Sequence, residues 1–294
     1  MYQTLPPNGR LAYTSILDRE PYDWPGGRRL AVYLAINVET FAYGEGLGAA
    51  LGFAAPQPDV ANYAWREYGN RVGIWRMLEM LDALDLPSAL LVNAALYETC
   101  PDIVPAFRAR GDEIVAHAYT NSERQDDMDE ATERELIRRV TAIHREQDGR
   151  VPQGWLSPWI SETAVTSDLL QEAGYRYTLN WCHDDQPTWL HTRGGRLLSV
   201  PYPQEVNDIP AIAARRMGAG EFADMIIDNY EEMLRQSAGQ PLVMGIALHP
   251  YIVGQPYRLV HLRRALRHIV EDASAWLTTP GAVAAHCLAS GCVR

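Results

Sequence analysis

The sequence predicts an α/β fold: a barrel of mostly parallel strands, each followed by a helix. Three observations predict it. Apolar runs of strand length alternate with segments of helical period along the 294 residues. The strongest runs, residues 30–36 (LAVYLAI) and Leu242–Leu248 (LVMGIAL), are apolar on both faces, as buried parallel strands are. Seven or eight such units fit in this length, which favours a barrel over an open doubly wound sheet. No GxGxxG follows the first strand and no GxxxxGK[ST] occurs, so no nucleotide-binding motif supports the open-sheet alternative.

The elements follow in order. After the strand at 30–36, residues 72–84 repeat Val72, Trp75, Leu78, Leu81 and Leu84 at helical spacing. Ala89–Val92 is the second strand, 101–110 a short helix and Glu113–Ala116 the third strand. The Glu- and Arg-rich stretch 129–147 reads as an exposed helix, and 154–156 as a short strand. A helix over 163–173 is closed by Gly174, a suitable C-cap. Strands are expected at 175–179 and 197–200, a helix at 221–236, the strand Leu242–Leu248, a helix at 258–271 and a short strand Trp276–Thr278 before a last helix. The whole chain, 1–294, reads as one domain with its core at about 21–288. Two connections are long, 41–64 and 180–196, and loops of this length often border a binding site.

Composition narrows the function. The net charge of −11 repels phosphate backbones and anionic membranes, so neither nucleic acid nor membrane is expected as a partner. The four cysteines are too few for a disulfide framework, and no stretch approaches the length of a membrane span. Residues 1–7 have neither a basic start nor an apolar run, which reads as a cytoplasmic protein acting on a small molecule; self-association is left open.

The informative feature is what each strand runs into. In a parallel barrel, chemistry gathers at the carboxyl ends of the strands. The first ends in Asn37-Val38-Glu39-Thr40, the second at Asn93, the third in His117-Ala-Tyr119-Thr120-Asn121, the fourth in Ser157-Pro158-Trp159. The fifth enters Asn180-Trp181-Cys182-His183-Asp184-Asp185, and the last strong one enters His249-Pro250-Tyr251. A carboxylate, two strand-end histidines and an acidic pair would thus share one mouth, a set that can hold a metal or move protons around a water.

These strand ends resemble those of the polysaccharide-deacetylase superfamily (NodB homology, carbohydrate esterase family 4), and within it the metal-independent, allantoinase-like branch. The resemblance rests on Asn37 to Glu39, on His117 after Asp112-Glu113-Ile114-Val115-Ala116, on Asp184-Asp185-Gln186-Pro187, on Ala247-Leu248-His249-Pro250, and on Arg71-Val72-Gly73-Ile74-Trp75-Arg76. It implies an irregular (β/α)7-type barrel and hydrolysis of amide or ester bonds. It also implies a departure. Where metal-dependent members carry two adjacent Asp residues, this chain has Glu39 and Thr40; where they carry His-x-x-x-His, it has His117 and Asn121. Threonine and a neutral asparagine are poor zinc ligands, so no metal cofactor is expected in that triad.

The expected catalytic residues are therefore Glu39, His117 and His249: Glu39 takes a proton from water, and a histidine steadies the oxyanion or protonates the leaving nitrogen. The bland alternatives are a carboxylate capping a turn and hydrogen-bonded core histidines. Asn37, Asn121, Trp159, Asp184 and Asp185 are the expected substrate-binding residues, although an Asp pair in a loop is more often a solvated turn and a tryptophan more often core. The expected function is hydrolysis of a non-peptide carbon–nitrogen bond in a small amide or ureide. One competing reading keeps a metal-dependent deacetylase of an N-acetylated carbohydrate, with zinc held through His117 and Glu39 or His249 replacing a ligand. A third makes the barrel a non-catalytic binder of a small ligand.

Overall fold

Nine residues of nearly unbroken apolar character, Leu30–Val38, form β1, the longest strand in a computed structural model that describes residues 8–45 and 56–293. The other strands are β2 (Ala89–Val92), β3 (Glu113–Ala116), β4 (Gly154–Trp155), β5 (Tyr177–Thr178), β6 (Thr188–Thr192), β7 (Gly195–Ser199), β8 (Leu242–Leu248) and β9 (Trp276–Thr278). The sheet order is β6-β7-β5-β4-β3-β2-β1-β8, and β9 also pairs with β1. Every pairing is parallel except β6 with β7. The outer edge of β8 is taken up by single contacts: the amide of Ala247 donates to the Val206 carbonyl and that of Val243 to the Asp185 carbonyl, each at 2.8–3.0 Å. Seven parallel strands thus curl into a barrel whose last seam is made by loops, the expected irregular (β/α)7 form.

Alternation along the strands divides the core in two. Ala31, Tyr33 and Ala35 of β1, Leu91 of β2, Val115 of β3 and Val243 and Ala247 of β8 fill the barrel interior. Leu30, Val32, Leu34, Ile36 and Val38 point outward and pack against helices, among them α2 (Ile74–Leu84) and the later helices Ala219–Ser237 and Pro256–Asp272. The two-residue period then carries the inward series of each strand beyond its end. Asn37 and Glu39 continue β1, Asn93 continues β2, His117 continues β3 and His249 continues β8, so the interior changes from apolar to polar at one end.

Two expectations on the long connections are corrected. The stretch 41–64 is not a loop throughout: Val60–Tyr68 is a helix, α1, capped by the Asp59 side chain and running through a widened turn, Gly69–Gly73, into α2. Asn62, Tyr63, Trp65 and Tyr68 blur its helical period. Residues 46–55, the middle of that connection, lie outside the described residues. In the stretch 180–196, β6 forms a hairpin with β7, register Thr188↔Ser199 to Thr192↔Gly195. Its residues TWLHT are largely polar and half exposed, which hid the strand. No helix among the described residues is long and apolar enough to cross a membrane.

Candidate active site

Glu39 sits at the centre of the polar end, 7% exposed. Its Oε1 accepts a 2.5 Å hydrogen bond from Asn121 Nδ2, and its Oε2 accepts from Arg66 Nη1 at 3.2 Å and from the Tyr251 hydroxyl at 3.3 Å. His249 Nε2 stands 3.5 Å and His117 Nε2 4.0 Å from Oε1. The backbone around it is equally fixed. Asn93 Oδ1 accepts from the Thr40 amide at 2.7 Å, the Asn121 amide donates to the Thr40 carbonyl at 2.9 Å, and Asn70 donates to the Glu39 carbonyl at 2.9 Å.

Small residues bring α1 and the turn after β8 together at this point. A side chain on Gly69 would meet the Tyr251 amide at 2.7 Å, and one on Gly73 would meet the Pro250 carbonyl at 2.1 Å. With hydrogen there, the helix presses against His249-Pro250-Tyr251, which sets Arg66 and Tyr251 on the same carboxylate. Widened helical turns of this kind recur at functional sites.

The two histidines carry different protons. His117 Nδ1 lies 2.7 Å from the Leu156 carbonyl, which can only accept, so that nitrogen bears the hydrogen. Burial pushes the ring below its ordinary pKa, against the pull of Glu39, so His117 is neutral. Its Nε2 is then a bare lone pair, buried and without a partner among the described residues. His249 is the reverse. Its Nδ1 lies 2.6 Å from Asp208 Oδ1, and its backbone amide donates to Asp208 Oδ2 at 2.8 Å. Burial alone would lower its pKa, but Asp208 and Glu39 on either side outweigh that and raise it to about 9. Burial also pushes the Asp208 carboxyl upward; the shared proton still belongs on His249, because Glu39 favours the cation from the other side. For Glu39, burial would raise the pKa, and the facing His249, then Arg66, bring it down to about 2.

The structure brings Glu39, His117, His249, Asn121 and Trp159 together. Trp159 Nε1 donates to the Asn121 carbonyl at 3.1 Å, and its ring lies 5.9 Å from the Arg66 guanidinium. The turns that deliver these groups are tightly bent: Ala118, Trp159 and Ile160 have positive φ of 50°, 60° and 54°, conformations that non-glycine residues adopt mainly where surroundings impose them. Asn37 points inward just below Glu39 but is spent on the Tyr202 hydroxyl at 3.0 Å.

Asp184 and Asp185 are not brought to the site. Asp184 pairs with Arg19 at 2.6 Å, and the Asp185 carbonyl accepts from Val243 near the start of β8. That is the amino-terminal face, about 20 Å from His249 at roughly 3.3 Å per residue. The chain crosses the barrel wall between β5 and β6, so nearness in sequence to a strand end misled the reading.

Three site residues escaped sequence reasoning: Arg66, Asp208 and Tyr251. Arg66 lies between the connection read as a loop, 41–64, and the helix expected at 72–84, and Asp208 between β7 and the next helix with no strand directly before it. Tyr251 was visible two residues after His249.

The residues present do not suit a metal ion. Asn121 gives its amide nitrogen to Glu39, and its Oδ1 accepts from Asn93 at 2.9 Å, so neither end is free to ligate. Arg66 already neutralises the carboxylate. A divalent ion about 5 Å from that guanidinium would meet a repulsion of about 7 kcal/mol at an effective dielectric of about 20. Among the described residues, no three His, Cys, Asp or Glu side chains form a group able to hold a metal.

No family model matches the chain. It is 24% identical over 291 residues to a Schizosaccharomyces pombe protein named "Putative polysaccharide deacetylase", covering 93% of this chain and 89% of that one. Its structure superposes on a probable polysaccharide deacetylase of Pseudomonas aeruginosa PAO1 with a TM-score of 0.84 at 24% identity, covering 92% and 95% of the two chains. It superposes on PuuE allantoinase with a TM-score of 0.83 at 25% identity, covering 97% and 100%. The fold is that of the polysaccharide-deacetylase (NodB-homology) superfamily, and these likenesses support carbon–nitrogen hydrolase chemistry. The named relatives divide between deacetylases and an allantoinase, and the proton arrangement around Glu39 is what bears on the choice between them.

Proposed function

We propose that this chain hydrolyses a non-peptide carbon–nitrogen bond of a small amide or ureide, using two histidines of opposite protonation and no metal. The observation that carries the reading is the pairing, across one carboxylate, of a neutral histidine with an unpartnered Nε2 and a cationic histidine backed by a buried aspartate.

Glu39 is reassigned in this proposal. A carboxylate held at about 2 by an imidazolium and a guanidinium is a weak base, whereas His117, kept neutral by burial, offers an unpartnered lone pair. His117 Nε2 takes a proton from water as the water oxygen bonds to the carbonyl carbon. The carbonyl π electrons move onto its oxygen. The oxyanion then re-forms the carbonyl as the carbon–nitrogen bond breaks, and His249 Nε2 donates a proton to the departing nitrogen. His117 releases its proton and His249 regains one, which restores the starting state. Glu39 anchors the cations and orients the water. Trp159 and Tyr251 wall the pocket, and Asn121 positions Glu39.

The deacetylase names among the relatives make an acetamide one candidate substrate, and the allantoinase makes a ureide another. The test is a panel of acetamides, cyclic imides and ureides with metal-depleted, purified protein. Turnover of an amide or ureide that survives chelation supports the proposal. Turnover that requires stoichiometric zinc returns the site to a metal-dependent deacetylase, and ligand binding without turnover to a non-catalytic relative.

A further inference from the structure

Resting on that reading, we propose that Arg66 is the group that receives the substrate's acyl oxygen, so that its guanidinium does the work of a polarising cation. Arg66 is 4% exposed and spends one nitrogen on Glu39, Nη1 at 3.2 Å. Its Nε is buried and has no partner among the described residues. A buried cationic N–H without an acceptor is costly to keep, so its persistence calls for a ligand that supplies one. Two more unpartnered buried side-chain atoms, His117 Nε2 and Thr40 Oγ1, belong to the same site; together they are three of the seven such atoms among the described residues.

The guanidinium is also held in orientation. It lies 3.6 Å from the centre of the Phe41 ring and 5.1 Å from that of Tyr251, both buried. Aromatic rings on its faces leave its N–H edge as the reactive direction. The fixed charges of the site sum to zero: Arg66 and His249 positive, Glu39 and Asp208 negative. Negative charge that develops on an acyl oxygen therefore adds to a neutral, water-poor cluster, and the unsatisfied donor edge of Arg66 answers it. The ligand class is a planar carbonyl compound, amide or ureide, small enough to lie against a guanidinium walled by aromatic rings.

The test compares wild type with Arg66→Ala and Arg66→Lys on any panel substrate that the wild type hydrolyses, with circular dichroism as the folding control. Arg66→Ala should lose kcat by about 10²–10³-fold, with KM changed far less, and guanidinium added at non-denaturing concentration should restore part of the loss. Arg66→Lys keeps the charge but not the donor edge, and should still lose kcat at least about tenfold. A folded Arg66→Ala protein with wild-type kcat, or one indifferent to guanidinium, overturns the proposal. If Arg66→Ala does not fold, Arg66→Lys with wild-type kcat overturns it. Should the wild type hydrolyse nothing in the panel, calorimetric binding of oxamate, a planar amide with a carboxylate, decides. Binding at least about tenfold weaker in the variant upholds the role of Arg66 while the proposed reaction fails. Oxamate that binds both equally, or neither, overturns it.

Discussion

Replacing Asp208 by Asn tests whether His249 works as an acid whose proton is held by its neighbours. The pKa of about 9 lies well above the ordinary 6.5, worth on the order of 3 kcal/mol in favour of the protonated ring. Asp208 is the larger of the two opposing carboxylates, with Oδ1 2.6 Å from Nδ1, while Glu39 stands at 3.5 Å from Nε2. Asp208→Asn removes that charge and keeps the shape, so the alkaline limb of the kcat profile should fall by about two units, to about pH 7. At pH 8 about nine-tenths of His249 is protonated in the wild type and about one-tenth in the variant, a loss of about tenfold. At pH 6 most of that loss should disappear. A steric defect would instead slow the variant equally at every pH. The substitution also leaves the His249 amide facing a donor where both aspartate oxygens accepted, which costs about 1–3 kcal/mol of stability. The assay is a pH–rate profile from pH 5 to 10 on the best panel substrate, with the imidazole titration followed by nuclear magnetic resonance. An alkaline limb that stays near 9 in the variant refutes the assignment of His249 as an acid tuned by Asp208.

The wild-type profile should be bell-shaped. Its acid limb falls below 6.5 because burial lowers His117, and its alkaline limb lies near 9 because His249 must keep its proton; a profile flat from pH 7 to 10 contradicts the role of His249, and an acid limb above 6.5 that of His117. Glu39→Gln leaves Arg66 as a buried cation without its anion, while His249 keeps Asp208, so a loss of about 3–5 kcal/mol of stability should accompany the loss of activity; chemical denaturation that finds the variant as stable as wild type shows Glu39 is not the anchor of Arg66. Stability should peak between about pH 4.5 and 6.5. The Glu39 contribution, up to about 3 kcal/mol, is present above its unfolded value of 4.5 and lost as pH falls through about 2. The His249 contribution is present below 6.5 and lost as pH rises through about 9, which urea titrations across pH measure directly. Turnover should survive dialysis against a strong chelator, with less than a tenth of an equivalent of zinc by elemental analysis (a threshold on the order of adventitious binding); loss of activity restored only by zinc defeats the metal-free mechanism.

What the sequence made legible followed from period. β1 and β8 were evident because each is apolar on both faces, and the residues just beyond them, Glu39 and His249, were evident because a buried strand has few reasons to end in a titratable group. The same logic found His117 after Ile114-Val115-Ala116 and Asn121 four residues on. It failed where the period was weak or the chain turned away. Arg66 rides a helix whose inward face mixes Asn62 and Arg66 with tyrosine and tryptophan, so no apolar stripe announced it. Asp208 reaches His249 from a segment with a single bridge to β8, and loop geometry of that kind has no residue pattern. Asp184 and Asp185 failed for the opposite reason: they follow β5 in sequence, but Asp184 pairs with Arg19 and the Asp185 carbonyl accepts from Val243 on the far face.

The two missed ion-pair partners are also what the proposal of a metal-free site turns on. Read without them, Glu39, His117 and His249 look like three ligands in search of an ion. With them, each acceptor already has its charge: Arg66 neutralises Glu39, and Asp208 turns His249 from a lone pair into an acid. Of the three, only His117 keeps an available lone pair, too little to hold zinc and enough to take one proton. A site that gained an arginine beside the carboxylate would lose its metal by repulsion, and Thr40 and Asn121 would then be free to replace ligands at no cost to the remaining proton chemistry. That charge balance predicts that Arg66 excludes the ion even when ligands are restored at Thr40 and Asn121. Arg66→Met combined with Thr40→Asp and Asn121→His should bind zinc at one equivalent, whereas Thr40→Asp with Asn121→His alone should not. Equal zinc affinity in the two variants, measured by calorimetry, would show that the guanidinium does not exclude the ion.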